Sequence, residues 1–454
     1  MSTTERESVL GFDLSSARRA ILRYQPASNW VSASRDPTPR MTVGLGFDVS
    51  RSESQELLTQ VGLDPAAVRS GRTPVSDDRM HELFDLTLRA AVGFAHRRVP
   101  GFADMPPERR QAVLELIVWL GVDGASGVFG ELEQLGVPLA DCPLEPSPWF
   151  DAPPEASVPA EPDREQPAES AEADPECERL APPEPTAGRP NSCCEITFES
   201  FGVVAELRSD DPDLLHAAET MLPPGWRATD AHPGIRFGVW ADGLITSDGT
   251  WVGWAPTRED SLLRLASIIR HHVASESLGF TFVHAGVVDA GGCGIVLPGR
   301  SFMGKTTLVA ELVRLGAKYL SDEYAVVEPN GLVRPFAKPL SIRAGRHDRP
   351  ARLVPVPEPM LANHPVHAGL IVLTSYWPGG RWRPSVRSHA EGAFALLQNT
   401  VSARARPSSA LRATSRLASD AIVLVGRRGE ASETALRLLE AALPRSGASA
   451  SLIA

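Results

Sequence analysis

The chain changes its hydrophobic rhythm twice. From Ser76, "SDDRMHELFDLTLRAAVGFAHRRV" places Met80, Leu83, Phe84, Leu88 and Ala91 at helical spacing, so one face of a helix is apolar. Ser76 and the two acids after it are helix-start signals, because a hydroxyl and negative charge suit the free amide end. "PPERRQAVLELIVWLG" repeats the pattern with Val113, Leu116, Ile117 and Leu120 behind Pro106 and Pro107, and Gly121 is placed to end that helix. Residues 1–142 are therefore expected to be mainly helical. From Glu195 the period shortens to two. "EITFESFGVVAEL" and "IRFGVWADGLITSDGTWVGWAP" alternate apolar and polar positions, with Asp242-Gly243 and Asp248-Gly249 as turns. That predicts short antiparallel strands in a small β-rich subdomain, 193–275.

The second change comes nearer the C-terminus. "DSLLRLASIIRHHVA" reads as a helix, and "GFTFVHAGVVDAGGCGIVLPGRS" as two strand-like runs leading into a glycine loop. "KTTLVAELVRLG" then returns to helical spacing, and "AKYLSDEYAVVE" reads as a further strand. Strand, glycine loop, helix, strand is an α/β arrangement, expected over a core of residues 276–454.

Composition explains what separates the two halves. Pro143 to Ser192 holds 13 of the 40 prolines and sets 12 acidic residues against 3 arginines. Proline fixes φ and removes donors while like charges repel, so 143–192 is expected to be an extended, disordered acidic linker. It divides the chain into an N-terminal domain, 1–142, and a C-terminal domain, 193–454. It also carries −9 of the net charge of −11, leaving the rest near balance and giving no reason to expect nucleic-acid binding. The first residues, "MSTTERESVLGFDLSS", lack a basic region followed by an apolar run, and no uninterrupted apolar stretch approaches the roughly 18 residues of a membrane span. The five cysteines show no Cys-x-x-Cys spacing. A cytoplasmic protein with reduced thiols and no membrane partner is the expectation.

The chemistry gathers in the α/β part. Gly299-Arg300-Ser301-Phe302-Met303-Gly304-Lys305-Thr306, followed by Thr307, satisfies G-x-x-x-x-G-K-[ST] between a predicted strand and a predicted helix. Glycines let the backbone fold into a nest of N–H groups around phosphate oxygens, and the helix adds the positive end of its dipole. Lys305 would reach the β- and γ-phosphates, and the Thr306 hydroxyl would ligate Mg²⁺. The x positions point away from the phosphates, so Phe302 and Met303 leave the cradle intact and either cap the nucleotide or pack. Asp322 and Glu323 in "YLSDEYAVV" follow one helix later, expected at the exposed end of a strand. One acid can hold Mg²⁺ and the other accept a proton from an incoming hydroxyl. His284, on the strand pair before the loop, gains no role from its own surroundings in the sequence.

"FVHAGVV…CGIVLPGRSFMGKTTLVAELVRLGAKYLSDEYAVVE" resembles the catalytic domain of HPr kinase/phosphorylase and its serine-kinase-like relatives, over about residues 195–440 and most closely over 282–345. "KPLSIRAG" is similar to that family's segment around a phosphate-facing arginine, matching at Arg343. The resemblance implies ATP and Mg²⁺, transfer of the γ-phosphoryl group to a serine or threonine hydroxyl, and an oligomer. It implies Asp322 as the base, which leaves Glu323 with Thr306 for the metal, and it places His284 near the phosphates. The chain departs from the family at the loop, which lacks the glycine usual after the serine, and at Ser341, where the family carries a glutamate. The glycine-rich signature of the reverse, phosphorylase reaction is missing too. A kinase relative is favoured over a bifunctional enzyme.

"MTVGLGFDVSRS", Met41 to Ser52, resembles the T-[IV]-G-x-G stretch of phage-type lysozymes and their pesticin-like branch, with Thr42 and Asp48 at matching active-site positions; the likeness covers about 15–140. Glycoside hydrolysis needs a protonated carboxylic acid. The window preceding Thr42, "RRAILRYQPASNWVSASRDPTPR", has Asp36 as its one carboxylate, with Gln25 near the glutamate's place. The resemblance therefore implies a lysozyme-like domain without wall-cleaving chemistry, kept to bind a glycan or protein ligand. The chain as a whole is expected to be an ATP-dependent serine/threonine kinase acting on a protein or peptide. A nucleotide-binding adaptor without transfer, and a muramidase with an accessory phosphate-loop domain, are the alternatives.

Overall fold

The computed structural model describes residues 8–9, 12–13, 32–33, 41–43, 47–49, 53–69, 75–134, 193–299, 304–342 and 352–442. Helices and mixed sheets alternate through two compact units: one joins the N-terminal part to residues from Ala274 on, and the other is described from Cys193 to Val273. The expected linker, 143–192, lies outside the described residues.

The first unit begins with short strands: β1 (Ser8–Val9) paired with β2 (Phe12–Asp13), and β3 (Ser32–Ala33), β4 (Met41–Val43) and β5 (Phe47–Asp48) in one small sheet. Thr42 and Asp48 are register partners across β4 and β5, while Gln25 and Asp36 lie outside the described residues. Helices α1 (Glu53–Gln60), α2 (Pro65–Arg69), α3 (Asp77–Arg98) and α4 (Pro107–Gln134) follow. Ser76 is the residue before α3, and Met80, Leu83, Phe84, Leu88 and Ala91 are all buried, as the spacing predicts. Gly121 departs from its expected role. Its φ of 78° and ψ of 166° interrupt α4 without ending it. The apolar stripe resumes with Ala125, Val128, Phe129 and Leu132, all buried, so packing carries the helix through the break. Among the described residues one helical stretch, Arg109–Gln134, is long and apolar enough to cross a membrane, but more than half of its apolar window is buried inside the protein.

The second unit is one six-stranded sheet built from β6 (Cys194–Ser200), β7 (Val203–Ser209), β8 (Arg227–Ala228), β9 (Ile235–Val239), β10 (Leu244–Ser247) and β11 (Thr250–Trp254), with α5 (Pro212–Glu219) between β7 and β8. The strands sit in the order β11-β10-β9-β7-β6-β8. The predicted turns are present: Asp248 and Gly249 both take positive φ, as a two-residue hairpin requires. The expectation of wholly antiparallel strands fails at one seam. β7 and β9 run parallel, because α5 and β8 intervene and return the chain in the same direction. Helix α6 (Arg258–Glu276) contains the boundary between the two units.

The remaining strands of the first unit are β12 (Thr281–Asp289), β13 (Gly294–Pro298), β14 (Lys318–Ser321), β15 (Tyr324–Val327), β16 (Val333–Arg334), β17 (Leu340–Ile342), β18 (Arg352–Val354), β19 (Ala368–Tyr376), β20 (Ser385–Arg387) and β21 (Ile422–Arg428). Its helices are α7 (Lys305–Arg314), α8 (His389–Gln398), α9 (Pro407–Ala418) and α10 (Ala431–Ala442). An eight-stranded sheet runs β16-β15-β12-β13-β19-β21-β20, with β14 also on β12. β13, β19 and β21 are parallel, so their carboxyl ends share one edge. Leu308, Val309 and Leu312 of α7 and Leu438 of α10 share a buried cluster with Ile295, Leu370 and Leu424 of those strands. Gly286 on β12 lets α7 lie close, since a Cβ there would press into Val309.

A second cluster crosses the linker in sequence but not in space. Phe84, Leu88, Val113, Ile117 and Phe129 of α3 and α4 pack with Phe394, Leu397, Ala410 and Leu411 of α8 and α9. Gly127 of α4 lies against α9, where a Cβ would meet the Ser408 hydroxyl, and Arg412 binds the buried Glu131 carboxylate at 2.7 Å. Each large apolar side chain so buried contributes about 1.5–3 kcal/mol. The proline-rich stretch thus divides the sequence, while the core of the first unit joins residues on both sides of it.

Candidate functional site

β13 ends at Pro298 and α7 starts at Lys305, so the glycine loop spans the gap at the shared carboxyl edge of the parallel strands. That edge is where open α/β sheets place ligands. Arg300, Ser301, Phe302 and Met303 lie outside the described residues, as does Arg343. The ends of the loop are defined. Gly299 N–H donates to the His284 carbonyl at 3.2 Å, which ties the loop's start to β12. Gly304 precedes α7 with φ 77°, a left-handed conformation that glycine adopts without a Cβ penalty.

Lys305 is partly buried, and its Nζ donates to the Gly299 carbonyl at 2.6 Å, folding the side chain back across the loop. Burial pulls its pKa down to about 8, against the opposing pull of the Asp322 and Glu323 carboxylates. Thr306 lies in the first turn of α7 and its Oγ1 donates to Asp322 Oδ2 at 3.2 Å. Thr307 is exposed.

The acidic pair does not sit at an exposed strand end, as the sequence implied. "AKYLSDEYAVVE" breaks into two strands, β14 and β15, both paired with β12, and Asp322-Glu323 form the corner between them. Ser321 braces that corner by accepting from the Glu323 and Tyr324 amides at 3.1 and 3.0 Å. Asp322 is consequently buried, its side chain 2% exposed against 20% for Glu323.

Four donors converge on Asp322. Tyr319 Oη and Lys338 Nζ reach Oδ1 at 2.9 and 2.8 Å, and Thr306 Oγ1 and the Ser341 amide reach Oδ2, each at 3.2 Å. An ionised carboxylate has about four lone-pair sites, so this one is filled. Tyr319 is fully buried, and burial followed by the Asp322 charge drives its pKa well above the ordinary tyrosine range, which keeps it a donor. Lys338 also lies 3.5 Å from Glu323 Oε2, so a single ammonium stands between the two acids. Neither Tyr319 nor Lys338 is singled out by sequence reasoning. A lysine just ahead of "PLSIRAG" carries no signal until β17 brings it back to the corner, although its charge opposite two acids was a clue in principle. At Ser341 the main-chain amide, not the side chain, serves the site.

His284 pairs with Tyr324 across β12 and β15, with ring centroids 4.6 Å apart, and its amide donates to the Asn399 carbonyl at 2.7 Å. The structure therefore brings together Gly299, Gly304, Lys305, Thr306, Asp322, Glu323 and the strand carrying His284. Arg428, another residue the sequence did not single out, also reaches the end of the loop. Its Nη2 donates to the Gly304 carbonyl at 2.9 Å.

No protein-family model matches this chain, and no characterised protein matches it in sequence.

Proposed function

We propose that the chain is an ATP-dependent phosphotransferase, similar to HPr kinases, that moves the γ-phosphoryl group to a serine or threonine hydroxyl of a protein or peptide. The observation that carries this reading is the 3.2 Å contact between Thr306 Oγ1 and the buried Asp322 carboxylate, one residue from Lys305. Phosphate-loop enzymes hold a magnesium ion with such a hydroxyl and acid. The residues fit Mg²⁺ by donor type: two carboxylates and the Thr306 hydroxyl are hard oxygen donors gathered at one corner. When bound, the ion would neutralise charge on the phosphates.

The chain's own groups divide the remaining work. Gly304 and the start of α7 present main-chain amides to the phosphates, and Lys305 adds a positive charge. Asp322 would join Thr306 on the metal side once the Thr306 hydroxyl turns from donor to ligand and frees Oδ2, and its enclosure leaves no approach for a substrate hydroxyl. Glu323, the more exposed neighbour, is better placed to accept the proton from an incoming hydroxyl. The resemblance had implied the opposite division.

The four bonds on Asp322 also favour a second reading, an adaptor that binds nucleotide without transfer. Incubation with γ-labelled ATP, Mg²⁺ and a lysate of the source cell separates the two. A labelled protein or peptide that vanishes with Lys305→Ala is expected; nucleotide binding with no acceptor labelled would establish the adaptor. The helical N-terminal part is proposed as a lysozyme-like domain that binds a glycan or protein ligand and does not cleave it.

A further inference from the structure

Arg428 closes β21, the third parallel strand whose carboxyl end meets the phosphate loop. The residue is 2% exposed. Its guanidinium nitrogens are poorly provided for. Nη1 donates to the Gly429 carbonyl and Nη2 to the Gly304 carbonyl, each at 2.9 Å, while Nε is buried with no partner among the described residues. Both bonds end on neutral carbonyls and neither on a carboxylate. The face of Tyr376, its register partner at the end of β19, lies 5.4 Å from the guanidinium, and the Tyr376 hydroxyl donates to Glu430 at 3.0 Å. Burial lowers the Arg428 pKa, with Glu430 and Tyr376 opposing it. A buried cation without a hydrogen-bonded anion costs stability unless something else completes it.

The position says what that something is. Gly304 is the residue before Lys305, and a Cβ on it would collide with the Arg428 guanidinium, so the arginine lies directly against the loop. The main-chain amides at Gly304 and the start of α7 suit the inner phosphates. A terminal phosphoryl group carries more charge and fewer main-chain donors, so it draws on side-chain cations.

We propose that Arg428 is a phosphate-binding residue whose guanidinium contacts the terminal phosphate of a nucleoside triphosphate held by the loop. The proposal rests on the reading of Gly299–Thr307 as a nucleotide site, and it gives the Gly304 end of that site a guanidinium from β21.

The test compares fluorescent ATP and ADP analogues on the full chain, its Arg428→Gln and Arg428→Lys variants, and Lys305→Ala. Failure of the unmodified chain to bind either nucleotide would overturn the nucleotide reading itself, and the Arg428 proposal with it. If the unmodified chain binds both, Arg428→Gln is expected to weaken ATP roughly 10- to 100-fold, the size of a lost charged hydrogen bond, and ADP much less. Arg428→Lys should recover part of the loss. Equal losses for ATP and ADP, or none, would show that Arg428 only braces Gly304 and would overturn the proposal. A readout independent of variants is the arginine Nε–H NMR spectrum of the unmodified chain. A buried arginine resonance that moves with ATP but not with AMP supports the contact. No arginine resonance moving with ATP would defeat it even if both variants misfold.

Discussion

Thr306 Oγ1 lies 3.2 Å from Asp322 Oδ2, although sixteen residues separate the two in the chain. The contact joins the first turn of α7 to the corner between β14 and β15, and it gives the two acids of that corner unequal surroundings. Asp322 contacts the start of α7 and is almost sealed, at 2% exposed, while Glu323 is the more open of the two at 20%.

That inequality predicts different failures. Glu323→Gln should keep ATP and Mg²⁺ binding and lower the transfer rate by about 10²- to 10⁴-fold, the range of a general base. Asp322→Asn should lower transfer and also weaken Mg²⁺-dependent ATP binding. Titration calorimetry paired with a labelled-phosphate assay distinguishes them, and a Glu323→Gln protein with full transfer would sink the assigned division of roles.

Lys338 supplies the counter-charge at the corner, with its side chain 13% exposed and 2.8 Å from Asp322. Removing one partner of so enclosed a pair leaves the other uncompensated, at a cost of about 3 kcal/mol. Lys338→Met should therefore unfold at clearly lower denaturant concentration. Pairing it with Asp322→Asn should cost less than the two single changes added together. Additive losses would mean that the ion pair contributes nothing.

Lys305 gives the site a pH dependence of known sign. With its pKa held at about 8, the free protein carries a charged ammonium below that pH. Above it, binding a phosphate must recruit a proton, so ATP affinity should fall by up to about tenfold per pH unit. Stability responds the other way. A lysine depressed from 10.5 costs stability while protonated in both folded and unfolded chains, and that cost is relieved as pH rises from about 8 toward 10.5. Lys305→Arg should flatten the binding profile, and Lys305→Ala should abolish binding.

The cluster shared by α3, α4, α8 and α9 predicts that the half carrying the glycine loop does not stand alone. A fragment of residues 193–454 would expose Phe394, Leu397 and Leu411, so it should aggregate or melt at lower temperature than the full chain. Co-expression with residues 1–142 should restore solubility. An equally stable isolated fragment would show that the cluster adds little.

Local chemistry was readable from the chain. The spacing of Met80, Leu83, Phe84 and Leu88 marks a helix face because 3.6 residues make a turn, and Asp248-Gly249 marks a hairpin because few residues tolerate positive φ. The glycine loop and its lysine are likewise legible, since the motif is a run of consecutive residues. The break at Gly121 was not, because continuing apolar positions beyond it decide whether a helix ends or bends. Nor was the parallel seam between β7 and β9.

Most of the elements, the G-x-x-x-x-G-K-[ST] spacing and the two adjacent acids were legible in the chain, all properties of neighbouring residues. Which acid is buried, that Lys338 and Tyr319 bond to it, that Arg428 abuts Gly304 from β21, and that α4 packs on α9 across the proline-rich stretch all come from the folded chain. Those relationships join residues distant in the chain. They follow from how strands order themselves in a sheet and which apolar faces meet, and no local pattern of residues encodes that outcome.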